Sequence, residues 1–460
     1  MSSSDPTHEL IESAWRAVAG GTPLPVEVRV EGEAGHLGSA FRVEEAAVAC
    51  VAVALAAAAA LASGARGGPG EVGLHRAQVA MAVRSERYFD AGGATGAGFA
   101  PLSRFWPTAD GWVRTHANYP WHKAALLQAL GAGEEEVGAA MKARPSEQVE
   151  EAVFAAGGVA AAVRSRAEWR DHPQGRAVAA EPLVSHQRFD GAPPRRAHEG
   201  PLPAAGVRVI DLTRVIAGPV CTRYLGAMGA EVLRIDSPSV PDMAPGAAAD
   251  TLLGKRSAAL DLERSGDRAR LQELLAEADV VVAGYRPGAL YRFGLDPAAL
   301  VDAHPGLVVV CLDAWGHAGP WAGRRGFDSV VQAPTGIADG ESVDGTPGAL
   351  PCQLLDHGTG YLAAAAVLDS LRRQRGEGGT YLRRLSLART AAWLVEAGPA
   401  GERPPAPVED ERPWVVDLGP SLSAVGPPGR IGDRALAWPG PPARYQQDAP
   451  AWSTVTGAGR

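Results

Sequence analysis

The sequence predicts an α/β protein: a Rossmann-like parallel-sheet domain preceded by a smaller α+β region. Three observations carry that reading. Between residues 206 and 315, short apolar runs alternate with helical ones. Those runs are continuous rather than alternating in polarity, as strands covered on both faces are. A Pro/Gly-rich stretch, DGAPPRRAHEGPLPAAG (190–206), separates this pattern from what precedes it.

The elements follow in order. Residues 1 to about 25 read as a poorly ordered lead-in holding one helix, HELIESAWRAVA. Residues 40–64 read as an Ala-rich helix broken by GARGGPG (64–70), with GLHRAQVAMAV after it as a second apolar helix or strand. In TADGWVRTHANYPWHKAALLQALG (108–131) an Asp-Gly turn leads to a short strand and an amphipathic helix, and further helices with polar faces follow. Past the linker, GVRVIDLT, EVLRIDSP, KRSAALDLE, DVVVAGYRP and GLVVVCLDAW read as strands, with helices such as GPVCTRYLGAMGA and RSGDRARLQELLAEA between them. The tail from about 400 is rich in Pro and Gly and reads as a surface wrap without a core. The division is therefore 1–200, 201–400 and 401–460.

Composition narrows the function. The 460 residues carry 21% charged side chains and a formal net charge of -8, which disfavours a nucleic-acid binder. Cys50, Cys221, Cys311 and Cys352 form no CxxC pair, so neither a metal site nor a disulfide framework is suggested. The N-terminus has no basic and apolar leader pattern. The apolar run Ala46–Ala62 is mostly alanine and short for a span, so it reads as a core helix. The expectation is a cytoplasmic protein with no membrane partner.

Candidate chemistry starts at LLDHGTGYLAAAAVL (354–368). Asp356 stands at the mouth of a small-residue helix, either as its N-cap or as a functional carboxylate. Lys255 and Arg256 in GKRSAALDL, with Arg286 and Arg292 in GYRPGALYRFGL, place cations at strand ends, where they suit a phosphate. GAMGAEVLRID has its glycines at a helix end, which excludes a dinucleotide cradle. His317 and His357 are candidate bases, and Asp328 reads as a cap or strand-end acceptor. An ungapped internal echo pairs the two Ala-rich helices and sets Ala47 opposite Asp356.

The order of motifs, VIDLTRVIAGPVCTRYLGAMGAEVLRIDSP, LLGKRSAALDL, ADVVVAGYRPGALYRFGL, HPGLVVVCLDAWGHAGPWAGRRGFDSVVQAPTGIADG and QLLDHGTGYLAAAAVL, resembles the class III coenzyme A transferases over about 205–395. The N-terminal part resembles that family's later half, so the domains stand in permuted order relative to the family. The resemblance implies CoA transfer between carboxylic acids through an aspartyl-CoA thioester on Asp356. It implies CoA contacts at Val215, Ile216, Leu252, Lys255, Tyr285 and Arg292, with Arg256 beside them. It also implies acyl-CoA and carboxylic acid substrates, no permanently bound cofactor or metal, and a homodimer. Ile216 replaces a polar residue of formyl-CoA transferase, Ser237 stands where that enzyme has an arginine, and its GGGGQ loop has no clear match. The alternatives are an α-methylacyl-CoA racemase, against which Phe327 counts, and a non-catalytic CoA-binding partner subunit.

Overall fold

The computed structural model describes residues 6–63, 70–92, 98–195, 200–242, 249–401 and 406–453. The fold is mixed α/β, built around one seven-stranded sheet. Its strands lie in the order Arg256–Ala259, Glu231–Asp236, Arg208–Leu212, Val280–Ala283, Val308–Asp313, Thr380–Ser386 and Gln187–Phe189. The first six are parallel and the last is antiparallel. Numbered along the chain from Arg208–Leu212, the six run 3-2-1-4-5-6. The order therefore reverses between Arg208–Leu212 and Val280–Ala283, and open sheets bind ligands outside the carboxyl ends of such a pair.

Val280, Val281 and Val282 are fully buried, as a strand covered on both faces requires. One face carries the two Ala-rich helices, Val43–Ala62 and Leu354–Glu377, packed side by side, with Ala217–Ala227 on the second of them. Helices apolar on every side belong inside a core. Val43–Ala62 is long and apolar enough to cross a membrane, yet 89% of its most apolar window is buried within the molecule. Starting both helices at their first residues sets Glu45, not Ala47, opposite Asp356.

The region before the linker contains a three-stranded antiparallel sheet, Phe105–Pro107, Trp112–Thr115 and Ala160–Ala162, with a separate core around Trp106, Leu126 and Met141. It docks on the loop after Val308–Asp313: Trp169 packs against Trp315 and Trp321, and Gln174 donates to the Trp315 carbonyl at 2.7 Å.

Two expectations need correction. The lead-in is ordered from Pro6: helix Pro6–Ala19 buries Leu10, Ile11, Trp15 and Val18 against the first Ala-rich helix. The tail also enters the core. Leu422–Val425 pairs with Asp90–Ala91, Arg430–Ile431 extends the sheet edge at Glu71–His75, and Trp452 seals apolar residues behind the main sheet. Most of the GARGGPG break and part of the linker lie outside the described residues.

Candidate active site

Asp356 is the third residue of helix Leu354–Glu377, and Gln353 holds the N-cap position without a side-chain cap. The cap comes instead from another segment. Asp328, fully buried, accepts from the Asp356 N–H at 3.1 Å and from Gln332 Nε2 at 2.5 Å. The Asp356 carboxyl is thus spared its expected local role. It is 5% exposed, and its Oδ2 has no hydrogen-bond partner. Burial raises its pKa well above the carboxylate range, and the negative Asp328 and Glu86 add to that. Asp328 is itself lifted by burial to about 6.

Behind the helix mouth, His357 is buried and its Nε2 lies 3.4 Å from Glu86 Oε2. Burial pushes Glu86 up, but the His357 contact outweighs it and holds the carboxyl below its usual value. Close packing fixes this corner. A Cβ at Gly360 would stand 2.5 Å from the Ala217 carbonyl oxygen, so only glycine lets the two helices cross there.

Asp356 lines a pocket of about 310 Å³ at the carboxyl edge of the sheet. The loops after the reversal pair supply Arg214, Val215, Gly284, Tyr285 and Arg286, and the start of helix Ala217–Ala227 supplies Ala217 and Gly218. Val215 has φ +68°, a left-handed conformation that is strained for a β-branched residue. Helix Ala217–Ala227 has no side-chain cap, so its first N–H groups are left open on the pocket side. Arg214, Arg286, Arg324 and Arg325 give the lining four guanidinium groups. Tyr119, Trp121 and His122 close the wall from the N-terminal region. Phe327 also lines the wall and stacks on His116, with ring centroids 3.7 Å apart. Burial keeps His122 neutral, at about 4.

The structure brings Asp356, Val215, Tyr285 and Arg286 together in this pocket and sets the other sequence-derived contacts elsewhere. Ile216 is buried at the helix start. Leu252 is 1% exposed in the core. Lys255 is sealed against Asp211 at 2.9 Å, with no exposed side-chain surface on either partner. Arg256 lies at the amino end of its strand and donates to the carbonyls of Ala449 and Ala451, clamping the tail. Arg292 is exposed and pairs with Glu263. His317 pairs with Glu181 outside the main pocket. Arg214 and the Tyr119–His122 wall were not singled out, because only tertiary contact joins them to Asp356.

Comparison with known proteins matches residues 204–411 to the model of CoA-transferase family III. The matched segment is similar to CoA-transferase family III. It contains Asp356, Asp328 and the switch-point loops, but not Glu86 or the Tyr119–His122 wall. Among curated relatives, the acetyl-coenzyme A transferase nodX of Hypoxylon pulicicidum is 38% identical over 202 residues, 42% of this chain and 34% of that protein. The probable fatty acyl-CoA transferase Rv3272 of Mycobacterium tuberculosis is 34% identical over 189 residues, 38% of this chain and 48% of that protein. The succinyl-CoA–L-malate CoA-transferase beta subunit of Chloroflexus aurantiacus is 36% identical over 199 residues, 39% of this chain and 48% of that one. A crystal structure of Rv3272 aligns with 43% of this chain and 57% of its own, at 31% identity and a TM-score of 0.41. The chain spans between a third and a half of the length of these curated relatives.

Proposed function

We propose that the chain is a CoA-transferase that moves coenzyme A between carboxylic acids through an aspartyl-CoA thioester on Asp356. The observation that carries this is the free Asp356 oxygen, buried and unpartnered, in a pocket lined by four arginines. A carboxylate nucleophile needs an uncommitted oxygen, and a CoA ligand needs cations for its phosphates.

In the first step an Asp356 oxygen attacks the donor thioester carbonyl and the C–S bond breaks. A mixed anhydride and CoA thiolate result. The thiolate then attacks the aspartyl carbonyl, the C–O bond to the donor acyl group breaks, and the donor acid leaves as its carboxylate. The acceptor acid reverses both steps. Each tetrahedral intermediate needs donors at its oxyanion, and the open N–H groups of Ala217 and Gly218 are the available ones. The arginines neutralise the incoming phosphates while Phe327 and Trp121 limit water.

The sheet order supports a Rossmann-like reading. The position of the antiparallel-sheet region before the main sheet supports a permuted order. The resemblance carries the proposal of a homodimer, and the reading of the N-terminus and of the Ala-rich run carries that of a cytoplasmic location. Tyr119, Trp121 and His122 line the pocket from the same chain as Asp356.

One observation favours a second reading. The raised Asp356 carboxyl and the neutral His122 line one pocket, as a proton donor and acceptor for racemising an α-methylacyl-CoA would. Intact-protein mass spectrometry after incubation with acyl-CoA thioesters and a borohydride or hydroxylamine quench decides between them. The transferase predicts modification confined to an Asp356 peptide and absent in Asp356→Ala. Deuterium exchange at C2 without any adduct would instead establish the racemase.

A further inference from the structure

The pocket is lined by only two carboxyl groups among the described residues, and the transferase chemistry uses one of them. The other is Asp313, the last residue of strand Val308–Asp313. It also opens on a side cavity of about 50 Å³ that shares Tyr285, Arg286 and Leu312 with the main pocket. Its Oδ1 accepts from the Gly316 N–H at 2.5 Å, which fixes the side chain in a strand-end turn. It forms no ion pair among the described residues, although Arg384 lines the side cavity. Burial lifts this carboxyl to about 7, and the nearby Glu181 adds to that; the Gly316 and Trp315 N–H groups and the Arg384 charge oppose it. Near neutrality it can therefore both accept and donate.

A turn alone does not require this chemistry, because an asparagine oxygen closes the same turn. A carboxyl held only by backbone N–H groups, in no ion pair among the described residues and lining the pocket at the carboxyl edge of the sheet, is placed to read a ligand. We propose that Asp313 is a second ligand-reading group of this pocket, hydrogen-bonding a hydroxyl or amide N–H of the bound thioester. A ligand carboxylate does not fit beside it, since like charges disfavour each other there. The partner group has two sources: the amides of the pantetheine arm, or a hydroxyl on the acyl group.

This inference rests on the CoA-thioester reading above, and binding separates the two. The full chain, Asp313→Asn and Asp313→Ala are titrated calorimetrically with CoA, an unsubstituted acyl-CoA, and 2- and 3-hydroxyacyl-CoA of equal chain length. Asp313→Asn keeps the turn acceptor, so its melting temperature is expected to match the wild type. Both variants are expected to lose about 5- to 30-fold in affinity, the range for one hydrogen bond to a buried group. Loss with every ligand, CoA included, assigns the amide. Loss confined to a hydroxyacyl-CoA assigns the hydroxyl. Equal affinities of all three proteins for all four ligands overturn the inference while leaving the CoA reading intact. A wild type that binds none of the four removes both.

Discussion

The backbone N–H of Asp356 donates to the carboxylate of Asp328 at 3.1 Å, so the helix mouth is capped from a segment 28 residues upstream. That relationship explains how an aspartate in a first helical turn keeps an unpartnered oxygen. It also sets two negative charges close together, and this governs the pH behaviour of the site.

Asp328→Asn and Asp328→Ala separate the two effects. Asn keeps an acceptor for the Asp356 N–H but removes the charge that raises Asp356. In the proposed chemistry the ionised form of Asp356 is the nucleophile, so the rate should fall as pH drops, and the Asn variant should move that limb to lower pH. Ala instead leaves a buried N–H without a partner, at a cost of about 1–3 kcal/mol. Its expected signature is a lower melting temperature with reduced kcat at every pH. A pH–rate profile of each variant checks both statements.

Asp356→Asn should stabilise the fold, and the size of the effect should depend on pH. Asp356 and Asp328 both have folded pKa values above the unfolded value of about 3.9. The folded state therefore holds their protons more tightly. Their contribution to stability is full below the unfolded pKa and is lost as pH rises through the folded one, which for Asp328 is about 6. The Asn variant cannot ionise at 356 and escapes part of that loss. Thermal melts should show it above the wild type at pH 8, with the gap closing by pH 4.

Lys255→Ala is expected to destabilise the protein by about 3–5 kcal/mol, because it leaves the Asp211 carboxylate buried beside a void. Lys255→Met should cost less, since its volume and shape fill the space. Burial lowers the Lys255 ammonium to about 8, despite Asp211. CoA affinity of the folded fraction should be unchanged in both, measured by calorimetry below the melting temperature. A direct phosphate contact would instead appear as an affinity loss in the Met variant.

The sheet was legible because its strands announce themselves locally: VVV at 280–282 and VVVC at 308–311 have no other use in a globular chain. Asp356 was legible from its motif, but its freedom was not, because the capping group sits in another segment. Sequence neighbours also misled. Lys255 immediately precedes strand Arg256–Ala259 and Arg256 opens it, yet one is sealed against Asp211 and the other clamps the tail. Both stand at the amino end of that strand, away from the carboxyl edge where the pocket lies. The tail looked coreless because its apolar residues are few and spaced by proline, yet Val425, Leu436 and Trp452 are buried in apolar clusters.

Arg286 gives a clean test of the pocket cations. It follows Tyr285 at the strand reversal, lines both cavities, and its side chain makes no hydrogen bond or ion pair among the described residues. Structure therefore asks nothing of its charge, and Arg286→Ala should leave the stability within about 0.5 kcal/mol of wild type. The neighbouring Arg325 guanidinium is held below its usual value, first by burial and then by Arg286, so the pair repels until an anion lies between them. Removing Arg286 is expected to weaken CoA binding about 10-fold, a typical loss for one charge-assisted contact. The loss should shrink for dephospho-CoA if Arg286 meets the 3′-phosphate, and persist if it meets the pyrophosphate. Raising salt should narrow the difference between wild type and variant, since screening weakens the contact that only the wild type makes. Affinity equal to wild type at low salt would assign the phosphates to Arg214 or Arg324 instead.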